Sequence, residues 1–427
     1  MPNHSSEAEP RPNVNQTAVE DWSALGDFLS LTTERLTAPV EGIHHAIAER
    51  WFGLAGSRAA AARRSYLAYT TGIYESVRIA GLALGTAVAW GAGAARLRNR
   101  LRPLWSSSGG SGLQAVANAV WGDELDRRRS GLRIEMGLRD SHGNSITLDS
   151  GILADAFPHP RTRLAVLLHG LGETERCWQG QSDEGLTGPG MADLLSADGF
   201  TPLLVRYNTG KHISDNGAEL AALLERVVSV WPVVIEEISL IGNSMGGLVA
   251  RSAVDAGRSG DHRWVDIAQH VVALGSPHLG SPLEKGANLL SWGLRLLPES
   301  RPLGEFIDGR SAGIKDLRYG AIREDDRAEG DPDALLTDTV GDAPEFEGVE
   351  QHFIAGVVTA EPTHPIGVLV GDLIVRVGSG IGRGRRRIEA TDVRIVGRRR
   401  HFDLLHDPIV QKQVRDWLVV ETGAPRG

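Results

Sequence analysis

Cysteine is almost missing from this chain of 427 residues: Cys177 stands alone, so no intrachain disulfide can form. Aromatic residues are sparse, at 5%. There is no surplus of basic charge either. Lys and Arg number 45 against 54 Asp and Glu, a net charge of -9 that argues against nucleic acid as a partner. Residues 1–20 are polar and lack the apolar h-region of a secretory signal, so they read as a disordered tail. A single cysteine and no signal make the cytoplasm the expected compartment. What remains, 41% hydrophobic and 23% charged, is the composition of a globular protein with room for a large core.

Residues 21–105 carry a helical pattern, with apolar positions such as Leu25, Phe28, Ile43, Ile47, Trp51, Tyr66 and Ile73. Three helices are expected there, the last running into seventeen uncharged residues from Ile79 to Ala95. That length is at the lower limit for a bilayer span, and its Ala and Gly content favours close packing instead. Gly81 and Gly85 form a G-x-x-x-G pair, and Arg96, Arg98, Arg100 and Arg102 follow. Peripheral membrane association through 79–102 therefore stays open beside a packed helix. Residues 106–129 read as a Ser/Gly linker with a short helix from Leu113 to Trp121. His44, His45 and Glu49 have helical spacing that could suit a metal, but neighbouring histidines on an ordinary helix are far commoner, and no metal is expected.

From residue 130 to 427 strands and helices alternate. Leu132–Met136 and Ile146–Leu148 suit a hairpin; Leu164–Leu168, Pro202–Val205, Ile238–Ile241, Val271–Leu274, Phe353–Val358 and Val393–Val396 are apolar runs suited to strands buried on both faces. Helices are expected from about Asn216 to Val230 and from Asp407 to Val420, the latter with Asp as cap and Pro first. The pattern predicts an α/β fold: a mostly parallel sheet between layers of helices.

The strand Ile238–Ile241 runs straight into Gly242-Asn243-Ser244-Met245-Gly246-Gly247, and a helical pattern follows. Gly-x-Ser-x-Gly between strand and helix is the layout of a nucleophile elbow, whose tight turn projects the serine hydroxyl. A serine needs a histidine to take its proton and a carboxylate to orient that histidine. In the required order these are Asp372, after the run ending at Val358, and His401, after the run ending at Val396. His406 is the alternative base; Asp392 and Glu361 are weaker rivals for the acid. The oxyanion would be held by the backbone N–H groups of Met245 and of Leu171, in His169-Gly170-Leu171-Gly172 after the first parallel strand. His169, Gly170 and His278 are expected around the substrate pocket, with His169 holding its loop by hydrogen bonds and His278 fixing the loop after its strand. Cys177 has no His-paired motif and reads as a buried small hydrophobe.

Together, His169-Gly170-Leu171-Gly172, the Ser244 elbow and Gly275-Ser276-Pro277-His278-Leu279-Gly280-Ser281 resemble the lipase and esterase branch of the serine α/β-hydrolases. Arg206-Tyr207-Asn208-Thr209-Gly210 and Asn216-Gly217 add a similarity to triacylglycerol lipases and the GPI inositol-deacylase-like family. The resemblance implies an α/β-hydrolase fold, a Ser-His-Asp triad and no cofactor, and it places Asp372 and His401 at the acid and base positions. Leu373 departs from it, because related proteins usually have Gly directly after the acid.

Nearly eighty residues separate Leu274 from Phe353, so an inserted helical cap is expected at about 282–345, over an apolar acyl pocket. Gly382–Arg387 and Arg398–Arg400 could meet an anionic headgroup or stay solvated. The expected activity is hydrolysis of carboxylic esters with an apolar acyl part, on an ester or lipid substrate. The alternatives are an acyltransferase of the same fold and a catalytically idle, membrane-associated scaffold.

Overall fold

The structure, a computed structural model, describes residues 14–54, 59–96, 107–180, 188–281, 294–295, 298, 300–328, 344, 346–384 and 387–419. Two compact units are present: one comprises residues 1–111, 128–132 and 294–306, the other 112–127, 133–293 and 307–427.

The larger unit is built on an eight-stranded sheet. Its strands are β1 (Gly137–Arg139), β2 (Ser145–Ile146), β3 (Arg163–Leu168), β4 (Thr201–Arg206), β5 (Glu237–Asn243), β6 (Ala268–Leu274), β7 (Glu350–Val357) and β8 (Asp392–Gly397), in the order β2-β1-β4-β3-β5-β6-β7-β8. Strands β3 to β8 are parallel, and β1 is antiparallel to both neighbours. This is the expected α/β-hydrolase fold. Side chains alternate across the strands, so both faces must be covered. On one face Leu164, Val166, Leu168, Ile238 and Leu240 pack with the helices Ile213–Val230 and Met245–Ser259. On the other, Ala165, Leu167 and Ile241 pack with Met191–Ala197 and Pro408–Leu418.

Three local expectations are corrected. The hairpin turns at Gly143 as expected, but its first strand begins at Gly137, and the apolar run from Leu132 stays outside the ladder. The stretch read as a linker is helical from Ser108 to Arg127, with a kink at Trp121. Ser107 caps it, its Oγ accepting from the Gly110 N–H at 3.0 Å. Buried Asn118 and Ala119 then tie the helix into the larger unit: Asn118 Oδ1 accepts from Ile134 N–H (3.0 Å), and the Ala119 carbonyl accepts from Ser311 Oγ (2.5 Å). Third, the polar N-terminal residues from Val14 onward are already helical, while 1–13 lie outside the described residues.

The smaller unit contains two long helices, Val14–Leu54 and Ala60–Arg96, instead of three. Pro39 does not break the first, although it forfeits one backbone hydrogen bond. Contact between the helices compensates. Gly26 and Gly85 sit so close that a Cβ on Gly85 would lie 2.2 Å from the Gly26 carbonyl oxygen, and Gly81 faces Thr33. His44 bonds to Tyr66 Oη (2.7 Å) and Tyr74 Oη (3.1 Å), and His45 to Thr70 Oγ1 (3.1 Å), so these histidines join the two helices. Among the described residues, no helix is long and apolar enough to cross a membrane. Arg98, Arg100 and Arg102 lie outside the described residues, as do 282–293 and 329–343 of the expected cap. Within the rest of that insertion, Ala312–Asp316 is helical, and Asp316 accepts from the Ile213 N–H at 2.8 Å.

Candidate active site

Strand β5 ends at Asn243, and the next helix begins at Met245, leaving Ser244 alone in the turn. Its backbone is left-handed, φ 52° and ψ -117°, a strained conformation for a residue with a side chain. Closeness explains the flanking glycines. A Cβ on Gly242 would lie 2.2 Å from the Gly246 carbonyl carbon, and one on Gly246 2.3 Å from the Leu168 carbonyl oxygen. The Ser244 N–H donates to the Leu274 carbonyl at 2.7 Å, which pins the turn to the end of β6. Every residue from Glu237 to Val254 is buried except Ser244. The turn therefore presents one side chain, a hydroxyl, out of an otherwise closed run.

Asp372 and His401 come together although they are 29 positions apart: His401 Nδ1–H donates to Asp372 Oδ2 at 2.8 Å. The His401 backbone N–H also donates to the Asp372 carbonyl at 3.1 Å. Both side chains are buried, at 1% and 4% exposure. Asp372 Oδ1 accepts from the Ile374 and Val375 N–H groups, at 3.0 and 2.7 Å, so both carboxylate oxygens are engaged. The pair sits above the C-terminal ends of the strands that follow β5. A Cβ built on Gly275, just past β6, would lie 3.2 Å from His401 Cε1; one on Gly356 of β7 would lie 3.3 Å from Asp372 Cβ. With Nδ1 donating to the acid, His401 Nε2 is left as the proton acceptor.

His406 ends the turn that His401 begins, and burial pushes its imidazole down. Glu361 is exposed. Asp392 starts β8 at the far edge, where it accepts from Trp417 Nε1–H at 2.9 Å. Among the described residues, no group of three metal-type ligands includes Asp372 or His401.

The loop after β3 lies against the elbow, a Cβ on Gly170 falling 3.2 Å from Ser244 Cβ. Leu171 is half-buried, and Met245 opens the helix, where backbone N–H groups have no intrahelical acceptor. His169 is wholly buried. Its Nδ1–H donates to the Gly170 carbonyl (2.9 Å), and its ring stacks on Tyr207, whose Oη–H donates back to the His169 carbonyl (2.6 Å). His278 is 1% exposed, its ring 4.0 Å from that of Phe353, and burial holds it neutral. These rings support loops and do not line an open surface. The His278 loop is itself tied to the acid loop, since Ser281 Oγ donates to the Ile374 carbonyl at 3.0 Å. Burial, with Glu173 and Glu175 nearby, pushes the Cys177 thiol well up, away from the thiolate a nucleophile needs.

Sequence reasoning missed Glu173. Its Oε2 accepts from the Gly170 N–H (2.8 Å) and from Asn243 Nδ2 (3.0 Å), joining the loop after β3 to the residue before Ser244. The signal available was an acid three residues beyond Gly170. Behind it, Arg206 and Glu175 form a buried bidentate ion pair (2.6 and 2.5 Å) that keeps the Glu175 carboxyl below its usual range. Of the basic run, Arg399 pairs with Asp407, Arg398 and Arg400 are exposed, and Arg385 and Arg386 lie outside the described residues.

A model of the PGAP1-like alpha/beta domain family matches residues 207–296, the segment holding β5, the elbow and β6. No curated protein matches the chain. Among solved structures, the propeptide form of the Bacillus licheniformis lipase BlEst2 is 20% identical with a TM-score of 0.43. That match covers 63% of this chain and 53% of the other, so the chain spans about half the length of that relative. The mature form of BlEst2 is 21% identical with a TM-score of 0.39, covering 61% and 94%. The Staphylococcus hyicus lipase is 12% identical with a TM-score of 0.36, covering 61% and 96%.

Proposed function

We propose that this α/β-hydrolase domain is a serine hydrolase that cleaves carboxylic esters with an apolar acyl group. Ser244 Oγ attacks the ester carbonyl carbon while His401 Nε2 takes its proton. Asp372 holds the imidazole in the tautomer that can accept it and stabilises the imidazolium that forms. The Leu171 and Met245 N–H groups receive the charge developing on the carbonyl oxygen. Collapse of the tetrahedral intermediate breaks the C–O bond, and His401 returns the proton to the leaving alkoxide. Water, activated by the same histidine, then releases the acid from the acyl-enzyme.

The observation that carries this reading is the strained Ser244 turn, the one accessible residue in a buried run, at the same sheet end as the Asp372–His401 pair. Fluorophosphonate labelling with hydrolysis of esters of graded chain length tests it. The wild type should be labelled and active; Ser244→Ala should lose the label and, by analogy with other triads, about 10⁴-fold or more of its turnover. Labelling or turnover that survives Ser244→Ala would overturn the assignment.

A further inference from the structure

At the opposite end of the sheet, three ligand-type side chains converge that the proposed reaction does not use. His270 lies near the start of β6, and Glu350 and His352 near the start of β7. The parallel register sets His270 beside Glu350, and His352, two residues on, projects from the same face as Glu350. Gln351 between them takes the other face, where its Oε1 accepts from Arg251 Nε–H at 3.0 Å.

The three donor atoms form a small triangle. His270 Nδ1 is 3.2 Å from His352 Nε2 and 3.6 Å from Glu350 Oε2, and His352 Nε2 is 3.4 Å from the same oxygen. Zinc binds imidazole nitrogen and carboxylate oxygen at about 2.0–2.2 Å in a tetrahedral shell, so neighbouring ligand atoms stand about 3.3–3.5 Å apart. The observed edges bracket that value. Both histidines are buried, whereas the Glu350 side chain is 32% exposed and leaves a way in from solvent. The His352 ring is held by stacking on Trp417, centroids 4.7 Å apart, and Trp417 is held by its hydrogen bond to Asp392.

We infer that His270, His352 and Glu350 form a binding site for one divalent zinc-class cation, with water in the fourth position. Two imidazoles and one carboxylate select a transition-series ion over magnesium or calcium, which prefer all-oxygen shells. The imidazole that donates its N–H across the 3.2 Å contact in the metal-free protein moves that proton to its far nitrogen, freeing a lone pair for the ion. His270 stands four positions before Leu274, beside Ser244, a distance of about 13 Å at the usual strand rise. The ion would thus clamp β6 to β7 and take no part in ester chemistry.

Zinc chloride titrated into EDTA-treated, dialysed full-length protein tests this, with calorimetry and thermal unfolding as readouts. The wild type should bind one zinc per chain, and its unfolding midpoint should rise by roughly 5 °C at a hundredfold excess over Kd. Magnesium should do neither. Glu350→Gln, a conservative change at a partly exposed position, should weaken zinc by about 10–100-fold or more, and His270→Gln should abolish it. Cobalt(II) bound to the wild type should show the intense visible bands of a four-coordinate ion. Absence of saturable zinc binding, equal binding by wild type and both variants, or a six-coordinate cobalt spectrum would each overturn the site. A metal-independent fold in both variants, checked by circular dichroism, keeps lost binding from being read as lost structure.

Discussion

At the residue scale, two side chains near the candidate triad deserve separate tests because they act on geometry. Leu373 follows the acid with φ 84° and 58% exposure, an apolar residue held in the left-handed region that favours glycine. Left-handed backbone costs a residue with a Cβ about 1–2 kcal/mol, while glycine adds unfolded-state entropy worth about 0.4–1 kcal/mol. Leu373→Gly should therefore be more stable than Leu373→Ala by up to about 1 kcal/mol in urea unfolding, since alanine keeps the strain. An alanine variant equal to or better than glycine would show that the turn is not strained. Glu173 touches no reacting atom in the proposed mechanism; it positions the Gly170 loop against Asn243. Glu173→Ala should lower kcat for ester hydrolysis about 10–100-fold with a smaller change in KM, because a misplaced oxyanion donor weakens the transition state more than the ground state. Glu173→Gln, which keeps an acceptor, should recover part of the loss. Unchanged kcat in Glu173→Ala would remove the residue from the site.

At the scale of elements, what could be read from the sequence depended on whether a signal was local. The parallel strands were legible because β-branched and leucine runs buried on both faces admit few other readings, and Leu164–Leu168 and Ile238–Ile241 lie inside β3 and β5. The elbow was legible because strand, glycines and helix adjoin. Composition misled where tertiary contacts decide. Ser106–Gly112 looks like a linker, yet Ser107 caps a helix there, and Ser111 and Asn118 are buried. Three helices are expected in the smaller unit, yet the first runs unbroken from Val14 to Leu54 with Pro39 inside it. The His270, Glu350 and His352 cluster left no trace, since only the register of β6 against β7 unites residues 82 positions apart. The helix pair of the smaller unit offers a prediction at this scale. Gly85→Ala puts a Cβ 2.2 Å from a backbone oxygen of the partner helix, whereas Gly72 has open space around it. Gly72→Ala should stabilise the helix by about 0.8–1 kcal/mol and slow amide exchange in 60–96. Gly85→Ala gains the same propensity but forces the helices apart, and exchange should accelerate in both 14–54 and 60–96. Slower exchange in Gly85→Ala would mean the two glycines are not in contact in solution.

For the larger unit as a whole, stability should depend on pH through histidines folded away as neutral rings. Burial lowers the affinity of both His169 and His278 for a proton, with the charge of Arg251 adding to the effect at His278. In the unfolded chain each would titrate near about 6.5. Below that value the unfolded state binds protons that the folded state refuses, so unfolding is favoured as pH falls. Their contribution is complete above about pH 6.5 and is lost progressively below it, at up to about 1.4 kcal/mol per pH unit for each ring. Glu175, held below its usual range by Arg206, adds a loss at lower pH, beginning near the ordinary carboxylate value. His278 separates these contributions, because neither of its ring nitrogens has a hydrogen-bond partner among the described residues and its ring rests on Phe353. An apolar replacement there removes a titrating group without breaking a hydrogen bond. Urea unfolding of His278→Leu between pH 7.5 and 5 should fall less steeply than that of the wild type, by up to about 1.4 kcal/mol per pH unit in the lower half of that range. Parallel curves for the two proteins would mean that His278 takes up a proton in the fold as readily as in the unfolded chain. In that case the loop joining Ser281 to the acid turn would contain a charge, and its support of Asp372 would have to be electrostatic instead of steric.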